Sequence, residues 1–202
     1  MGISRLDGTA VWSDLEDAFR QLFQRKEIAA TIGEDHTADT PRRIAKMYEE
    51  MYSGCYFDPK EPLKRTFKNK GYDEIIYVND MRFISSCAHH GLPFIGKAHF
   101  AYLPDEKLVG LSKIPRLLEI LAHRPQVQEK LTIEMVDTFV GALYPKGCGL
   151  VMEAIHCCMS IRGVENHSAY TKTTAIRGCF KEPSVKAEFL DGVRKSGGQL
   201  WP

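Results

Sequence analysis

The chain has 202 residues, of which 44% are hydrophobic, enough apolar content for a folded core in one domain or one domain with an extension. Its 27 basic and 26 acidic residues give a net charge of +1, which provides no electrostatic basis for nucleic-acid or membrane partners. No apolar run approaches the ~20 residues that span a bilayer, and no signal-peptide pattern follows Met1. The six cysteines do not form a disulfide framework in a chain of this length, so we expect a reduced, cytoplasmic protein.

The first part of the chain has the apolar spacing of helices. A capping-box pattern begins at Ser13, and apolar residues follow at helical intervals to about Ala29. Thr40 has the residue type of an N-cap and precedes a proline, which predicts another helix ending near Gly54. We therefore expect residues 1–72 to form an N-terminal helical region.

From Glu74 onward, short β-branched and aromatic runs predict strands. The predicted strands are 75–78, 82–86, 96–103, 149–161 and 168–177. Between them the spacing predicts two helices, one capped by Ser112 and the other opened by Pro125. An antiparallel sheet with helices on one face belongs to the α+β class, so we expect such a domain over 73–195 and a flexible tail over 196–202.

Two clusters of cysteine and histidine indicate a metal site. The first extends from Cys87 to His90 and the second from His156 to Cys158. A C-x-x-H pair with one distant cysteine supplies three ligands, and zinc with three protein ligands keeps a position for water, as in catalytic sites. We therefore predict a catalytic zinc site held by Cys87, His90 and Cys158, with His89 and His156 beside it. Any one of these cysteines alone would instead be read as a small buried hydrophobe.

The choice between the adjacent cysteines depends on the predicted strand. Residues two apart on a strand share a face, so His156 and Cys158 are expected to point into the site together. Cys157 would then point to the opposite side, into the core. In the first cluster, Gly91 ends the strand at about His90, so the chain can turn around one metal.

The ordered motifs of this chain resemble those of the GTP cyclohydrolase I family from about Leu15 through Arg194. Ala88 departs from the family's Cys-Glu-His-His pattern, while the ligands and both histidines are kept. The motifs that carry the resemblance are Asp39–Met47, Cys87–His90, Gly110–Arg116, Gln126–Glu129, and Ile155–Cys158 with Arg162-Gly163.

The resemblance implies a fold, an assembly and a reaction. The fold would be the tunnelling fold, whose sheets join between subunits into a barrel, in a homodecamer with active sites at subunit interfaces. The reaction would be the zinc-dependent hydrolysis of GTP to 7,8-dihydroneopterin triphosphate and formate, leading to folate, tetrahydrobiopterin or 7-deazaguanine synthesis. By the same resemblance, His156 would protonate guanine N7, and His89 would transfer a proton at the ribose ring oxygen.

The resemblance also implies a set of substrate-binding residues. Gln128 and Glu129 would bind the substrate, and the Glu129 carboxylate would accept hydrogen bonds from guanine N1 and N2. Without the family match, Glu129 reads as a solvated helix residue paired with Lys130. Lys113 and Arg116 would likewise read as an ordinary solvated helix face. The residues expected at the triphosphate are Ser112, Lys113, Arg116 and Arg162, together with Arg43 and Lys46 from a neighbouring subunit.

Two other functions remain open at the level of sequence. One is a tunnelling-fold relative in 7-deazaguanine metabolism, such as the nitrile reductase, which needs a nucleophilic cysteine and a nicotinamide. The other is a zinc-stabilised oligomeric scaffold without catalysis. Such a scaffold would tolerate the loss of His89 and His156, because neither histidine is a predicted ligand.

Overall fold

The computed structural model describes residues 12–33 and 37–194, so the predicted tail at 196–202 lies outside the described residues. The single N-terminal helix expected to about Ala29 is two helices, α1 (Ser13–Phe23) and α2 (Lys26–Ile32). Ser13 is not a capping residue, because it lies inside α1 and its hydroxyl is 3.5 Å from the Asp14 carboxylate. Within the described ranges, no helix is long and apolar enough to cross a membrane.

Helix α3 (Thr40–Met51) packs against α1 through aromatic side chains. Thr40 is its first helical residue rather than its cap, since Asp39 occupies the cap position. The helix ends at Met51, and a short 3₁₀ helix follows at Ser53–Tyr56. The single helix predicted to end near Gly54 is therefore an α-helix followed by a separate 3₁₀ helix. Apolar spacing does not distinguish a tightened last turn from a new 3₁₀ segment.

The strands form one large sheet and one small pair. The strands are β1 (Thr66–Lys68), β2 (Ile76–Cys87), β3 (Pro93–Leu103), β4 (Lys107–Val109), β5 (Pro125–Gln126), β6 (Gly147–His156) and β7 (Thr171–Gly178). The large sheet has the order β5-β2-β3-β6-β7 and is antiparallel except for the short parallel β2–β5 pair, while β1 pairs with β4. The predicted α+β class, with an antiparallel sheet and packed helices, is confirmed.

The two strands predicted at 75–78 and 82–86 are a single strand with a bulge. The register of β2 against β3 shifts between Val78 and Met81, and Asp80 has a positive φ of 57°. An Asn-Asp pair tolerates this conformation, which explains why the sequence there resembles a turn. The strand continues through the bulge to Cys87, which ends it beside the first metal-ligand cluster.

The helices cover both faces of the sheet unequally. Helices α4 (Lys113–Ala122) and α5 (Gln128–Leu143) lie on one face, and α7 (Pro183–Arg194) packs on the other. Strand alternation accounts for this division. Phe100 and Leu150 belong to the core under α4 and α5, whereas the next residues, Ala101 and Val151, belong to the smaller core under α7. One C-terminal helix on the second face is thus added to the predicted arrangement.

The starts of α4 and α5 differ from prediction. Ser112 precedes α4, but its side chain forms no capping hydrogen bond. Pro125 does not open a helix, because it pairs with Ser86 in the parallel β2–β5 ladder and α5 begins later, at Gln128. This short β5 segment joins the sheet edge to the start of α5 beside Cys87.

Close approach of β3 and β6 requires a glycine at position 96. A Cβ on Gly96 would lie 1.9 Å from the Glu153 carbonyl oxygen and 2.8 Å from the Ala154 Cα. We therefore expect Gly96→Ala to lower the free energy of unfolding by about 3 kcal/mol, at the upper end of the usual cost of overpacking, because the clashing atoms belong to the backbone. Chemical denaturation measures this value.

Gly141→Ala is the matched control, because the nearest atom to its added Cβ is the flexible Lys60 Nζ at 3.9 Å. Since Gly141 lies within α5, alanine should raise the free energy of unfolding by about 0.5–1 kcal/mol through helix propensity. Equal effects of the two substitutions would contradict the close approach.

Candidate active site

A tight turn between β2 and β3 brings Cys87 and His90 together. The Cys87 carbonyl accepts from the His90 N–H at 3.2 Å and from the Gly91 N–H at 2.8 Å, and the Cys87 N–H donates to the Leu92 carbonyl at 2.8 Å. Gly91 has φ +66°, a conformation that glycine adopts without steric cost. The turn expected around His90 is confirmed, and the Ala88 N–H ties it to the Gln126 carbonyl at 2.9 Å.

The strand predicted over 149–161 ends at His156, and the next residues form the short helix α6 (Cys157–Ser160). The alternation argument for the two cysteines is therefore wrong, because neither lies on the strand. Helical geometry, rather than strand alternation, brings Cys158 beside Cys87, with their Sγ atoms 3.9 Å apart. Cys157 is half-buried and does not belong to the ligand cluster, so its expected place in the core is also incorrect.

The ligand atoms of Cys87, His90 and Cys158 all lie within 4.8 Å of one another, and this group could hold a metal ion. A tetrahedral zinc with Zn–S bonds of about 2.3 Å separates two sulfur ligands by about 3.8 Å, and sulfur from nitrogen by about 3.5 Å. The observed separations are 3.9 Å between the two Sγ atoms and 3.8 Å between Cys87 Sγ and His90 Nδ1. The donor set thus fits zinc in both chemistry and spacing.

Electrostatics at the cysteine pair also favour a cation. Burial raises the pKa of the Cys158 thiol, and its contact with Cys87 raises that pKa further, while Arg162 acts in the opposite direction. Two thiolates in contact repel each other unless a cation lies between them. A bound metal would deprotonate both thiols and remove this repulsion.

The second cluster places His156 in a well-defined environment. Its ring stacks on Phe94 with centroids 4.6 Å apart and an interplanar angle of 5°, and its Nε2 lies 2.8 Å from the Gln128 Oε1. Burial lowers the pKa of His156, and the nearby Glu129 carboxylate opposes that shift. By contrast, His89 is exposed, with its Nδ1 3.9 Å from Cys87 Sγ.

A cavity of about 240 Å³ joins the metal-ligand group to the start of α5. Its volume is below the ~300–1,000 Å³ typical of small-molecule sites. It is lined by Cys87, His89, His90, Gln126, Val127, Gln128, Glu129, His156, Cys158, Met159 and Thr171. The predicted ligands, both histidines, Gln128 and Glu129 therefore meet in one place.

A larger cavity of about 640 Å³ lies on the opposite face of the sheet, beside α7. The two lysines in its wall are already paired, Lys97 with Asp80 at 3.5 Å and Lys172 with Glu153 at 2.6 Å. Because these charges neutralise one another, the smaller cavity is the better candidate for chemistry despite its size.

Glu129 is available to a ligand. It is exposed in the first turn of α5 and, within residues 12–33 and 37–194, forms no ion pair. Lys130, the partner considered from the sequence, pairs with Glu134 at 2.9 Å instead. The Glu129 carboxylate is therefore left facing the cavity that it lines.

The residues predicted at a triphosphate are not gathered at this cavity. Ser112, Lys113 and Arg116 lie at the start of α4, whereas the other end of this 10-residue helix leads through β5 to the site. At about 1.5 Å per residue, Lys113 lies about 14 Å and Arg116 about 9 Å from the far end of the helix, and neither lines the cavity of the same chain. Residue spacing in the sequence could not show which end of α4 lies nearer the cavity.

The other predicted cations are exposed. Arg162 follows α6 closely enough to influence the Cys158 thiol. Arg43 and Lys46 lie on the solvent side of α3, and Arg43 is 3.8 Å from the Asp39 carboxylate. None of the three lines the cavity.

Sequence reasoning missed Phe94 and Thr171. Phe94 pairs directly with His156 in the β3–β6 ladder, and Thr171 begins β7 beside the cavity. Only the strand register identifies them, because an apolar residue and a threonine in strands carry no chemical signal of their own.

Comparison with known proteins identifies relatives along nearly the whole chain. A family model described as GTP cyclohydrolase I matches residues 15–194. The GTP cyclohydrolase 1 of Wolinella succinogenes is 40% identical over 185 residues, covering 89% of this chain and 96% of the relative. That of Bacillus pumilus is 45% identical over 175 residues, covering 84% and 92%.

Among solved structures, the apo-form crystal structure of the archaeosine synthase QueF-Like covers 55% of this chain and 97% of that chain. It has a TM-score of 0.45 and 11% sequence identity, which is too low a similarity to support an inference.

The ligand assignment predicts different effects for the adjacent cysteines. Cys158→Ser should lose the bound metal, because serine does not supply a thiolate, whereas Cys157→Ser should retain about one zinc per chain. Metal analysis of the purified variants measures both. Loss of zinc in Cys157→Ser with retention in Cys158→Ser would overturn the assignment.

Proposed function

The chain belongs to the GTP cyclohydrolase I family, and we propose from this that it hydrolyses GTP to 7,8-dihydroneopterin triphosphate and formate. The observation that carries the proposal is the meeting of three metal-ligand side chains with His156 and Glu129 at one cavity. A scaffold protein would have no use for an unpaired carboxylate and an ordered histidine beside the metal ligands.

We propose that Cys87, His90 and Cys158 hold a zinc ion. When bound, zinc would supply a water activated for hydrolysis at neutral pH. Two elements hold these side chains in place: the β2–β3 turn carries Cys87 and His90, and α6 carries Cys158. Because cysteine ligands must remain reduced, this assignment also favours the cytoplasm.

Glu129 is proposed to select guanine. Its carboxylate can accept from the N1–H and N2–H donors of guanine, whereas adenine presents an acceptor at N1 and no amino group at C2. The first N–H group of α5 with an intrahelical partner is that of Leu131, which donates to Val127. The earlier N–H groups of this turn are therefore free to bind the guanine O6.

His156 and His89 are proposed to move protons. His156 lies in the cavity wall next to the ligand Cys158, where it can protonate guanine N7 and make C8 susceptible to attack. His89 is exposed beside the ligand His90, where a proton can pass to or from the ribose ring oxygen. The second hydrolysis releases C8 as formate, and the ribose opens and recloses to form the pterin.

We infer that neighbouring subunits complete the site, in keeping with a homodecamer. In the described part of the chain, the outer edge of β7 has no partner strand, and β5 covers only Ser86 and Cys87 of β2. Such edges are normally protected, and pairing with another copy protects both. The small cavity and the distance of Lys113 and Arg116 from it support the same inference.

The triphosphate site would then combine several chains. Arg162 can reach it from the chain that holds the metal, because it influences Cys158. The remaining candidates would come from neighbours: Ser112, Lys113 and Arg116 at the start of α4, and Arg43 and Lys46 on α3. The exposure of Arg43, Lys46 and Arg116 suits this role.

The activity is tested by incubating the zinc-loaded protein with GTP. We expect formate and pterin absorbance to appear in equal amounts, and no product from ATP. Reduction of a nitrile substrate with a nicotinamide, in the absence of formate release from GTP, would instead support the 7-deazaguanine alternative.

Glu129→Gln tests guanine recognition. The substitution keeps the size but replaces one acceptor with a donor, so kcat/KM for GTP should fall on the order of 10³-fold while zinc content stays unchanged. Inorganic triphosphate should bind as it does to the wild type, because cations hold that end. Steady-state kinetics and competition binding measure these effects.

Glu134→Gln is the control, since it makes the same change on the same helix but affects a partly exposed pair with Lys130. It should retain kcat/KM within about threefold of the wild type. Wild-type kinetics in Glu129→Gln would require the guanine site to lie elsewhere.

Mixing two defective chains tests the shared site. Cys87→Ser destroys the metal half and Arg116→Ala the contributed half, so a 1:1 mixed assembly should recover about a quarter of wild-type activity through sites built from intact parts. Mixing Lys113→Ala with Arg116→Ala should recover none, because one helix contributes both residues. Mixed oligomers without recovered activity in the first case would indicate a site within one chain.

A further inference from the structure

We propose that Gln128 is a positioning residue for His156 and not, through its side chain, a contact of the substrate. Its amide fixes a proton on Nε2 of His156, so that Nδ1 is the ring nitrogen that exchanges a proton with guanine. This inference rests on the proposed function, because it specifies which atom of the proposed acid acts.

The orientation of the Gln128 amide follows from its neighbours. Its Nε2 donates toward the Met152 carbonyl at 3.3 Å, the Thr171 carbonyl at 3.0 Å and the Thr173 hydroxyl at 3.1 Å. A carbonyl oxygen can only accept, so the reversed amide would place Oε1 against two acceptors. The amide oxygen must therefore face His156, at 2.8 Å from its Nε2.

This orientation decides the tautomer of the histidine. The Gln128 Oε1 has only lone pairs to offer, so His156 Nε2 must carry the hydrogen of the bond between them. Nδ1 is then the remaining ring nitrogen. When His156 acts as an acid it is the imidazolium, with a hydrogen on each ring nitrogen: the N–H bond at Nδ1 breaks and that proton bonds to guanine N7, while the Nε2–H bond stays intact and continues to donate to the Gln128 Oε1.

Two threonines hold the amide in this orientation. The Thr132 hydroxyl donates to the Gln128 backbone carbonyl at 2.7 Å, and the Thr173 hydroxyl lies 2.6 Å from that of Thr132. The Thr173 hydrogen is thus directed to Thr132, which leaves a Thr173 lone pair for the Gln128 Nε2. Hydrogens are thus donated in one direction, from the Gln128 Nε2 to Thr173, from Thr173 to Thr132, and from Thr132 to the Gln128 backbone carbonyl. This sequence of hydrogen bonds favours a single orientation of the Gln128 amide.

Burial removes the Gln128 side chain from substrate recognition. The residue is 1% exposed, and its amide nitrogen is fully engaged by the three acceptors. Phe94 stacks on one face of the His156 ring. A hydrogen bond in the ring plane and a stacked ring beneath it together restrict both rotation and tilt of the imidazole.

The experiment replaces Gln128 with methionine, which has similar length but cannot accept the Nε2–H bond. In the zinc-loaded enzyme, kcat for formate release should fall on the order of 10–100-fold, with KM for GTP and zinc content unchanged. In the His156→Ala background the same substitution should change kcat by less than about threefold, because the group that Gln128 positions is gone.

Phe139→Leu is the control for altered packing within the same helix. Phe139 is 0% exposed on the core face of α5 and does not line the cavity around the metal ligands. It should lower the free energy of unfolding but keep kcat within about threefold of the wild type. An equal fall in kcat in both variants would show a general packing effect and overturn the proposal.

A direct reading of the tautomer is independent of activity. Solid-state ¹⁵N spectra of histidine-labelled holoenzyme, with the His156 signal assigned from His156→Ala, should show Nε2 protonated in the wild type and mixed tautomers in Gln128→Met. An Nδ1-protonated ring in the wild type, or a raised KM with unchanged kcat in Gln128→Met, would overturn the proposal. Absence of formate from the wild type would instead refute the proposed function. The ¹⁵N spectra would still test the tautomer, because they do not depend on activity.

Discussion

The register of β3 against its two neighbours is the constraint on which the site depends. β3 pairs with the end of β2 through Pro93 and Ser86, and with the end of β6 through Phe94 and His156. The two ligand clusters, far apart in sequence, therefore flank the start of one strand. A shift of one residue on β6 would turn His156 to the other face of the sheet and remove it from Phe94. The glycine-dependent contact of β3 with β6 keeps these strands close.

The start of α5 adds polar groups to this edge. The β5 segment pairs with the end of β2 and delivers the chain directly into the helix. Successive residues then have opposite tasks, since Gln128 is buried against His156 while Glu129 is exposed at the cavity. Helical geometry separates neighbouring side chains by about 100°, which makes this division possible over one peptide bond. Under the proposed function, a single helical turn would supply both recognition, through Glu129, and positioning, through Gln128.

The sequence predicted which residues belong to the candidate site. It often did not predict which helix or strand brings each of them there. The three candidate ligands were predicted from residue type and spacing, yet Cys158 reaches Cys87 from a short helix and not from a strand. The apolar segment before it, which is only partly β-branched, gave no sign of where the strand ends. Gln128 was expected at the substrate from the family resemblance, whereas its burial depends on acceptors in β6 and β7. Long-range pairing of this kind has no local signal.

The central claim is that this chain holds zinc through three side chains and leaves one position open. X-ray absorption spectroscopy of the zinc-loaded protein measures the ligand set directly. We expect two sulfur ligands at about 2.3 Å and two nitrogen or oxygen ligands at about 2.0–2.1 Å, from Cys87, Cys158, His90 and one water. A fit that requires three sulfur ligands, or four side-chain ligands with no exchangeable position, would contradict the account, because it would describe a closed structural site.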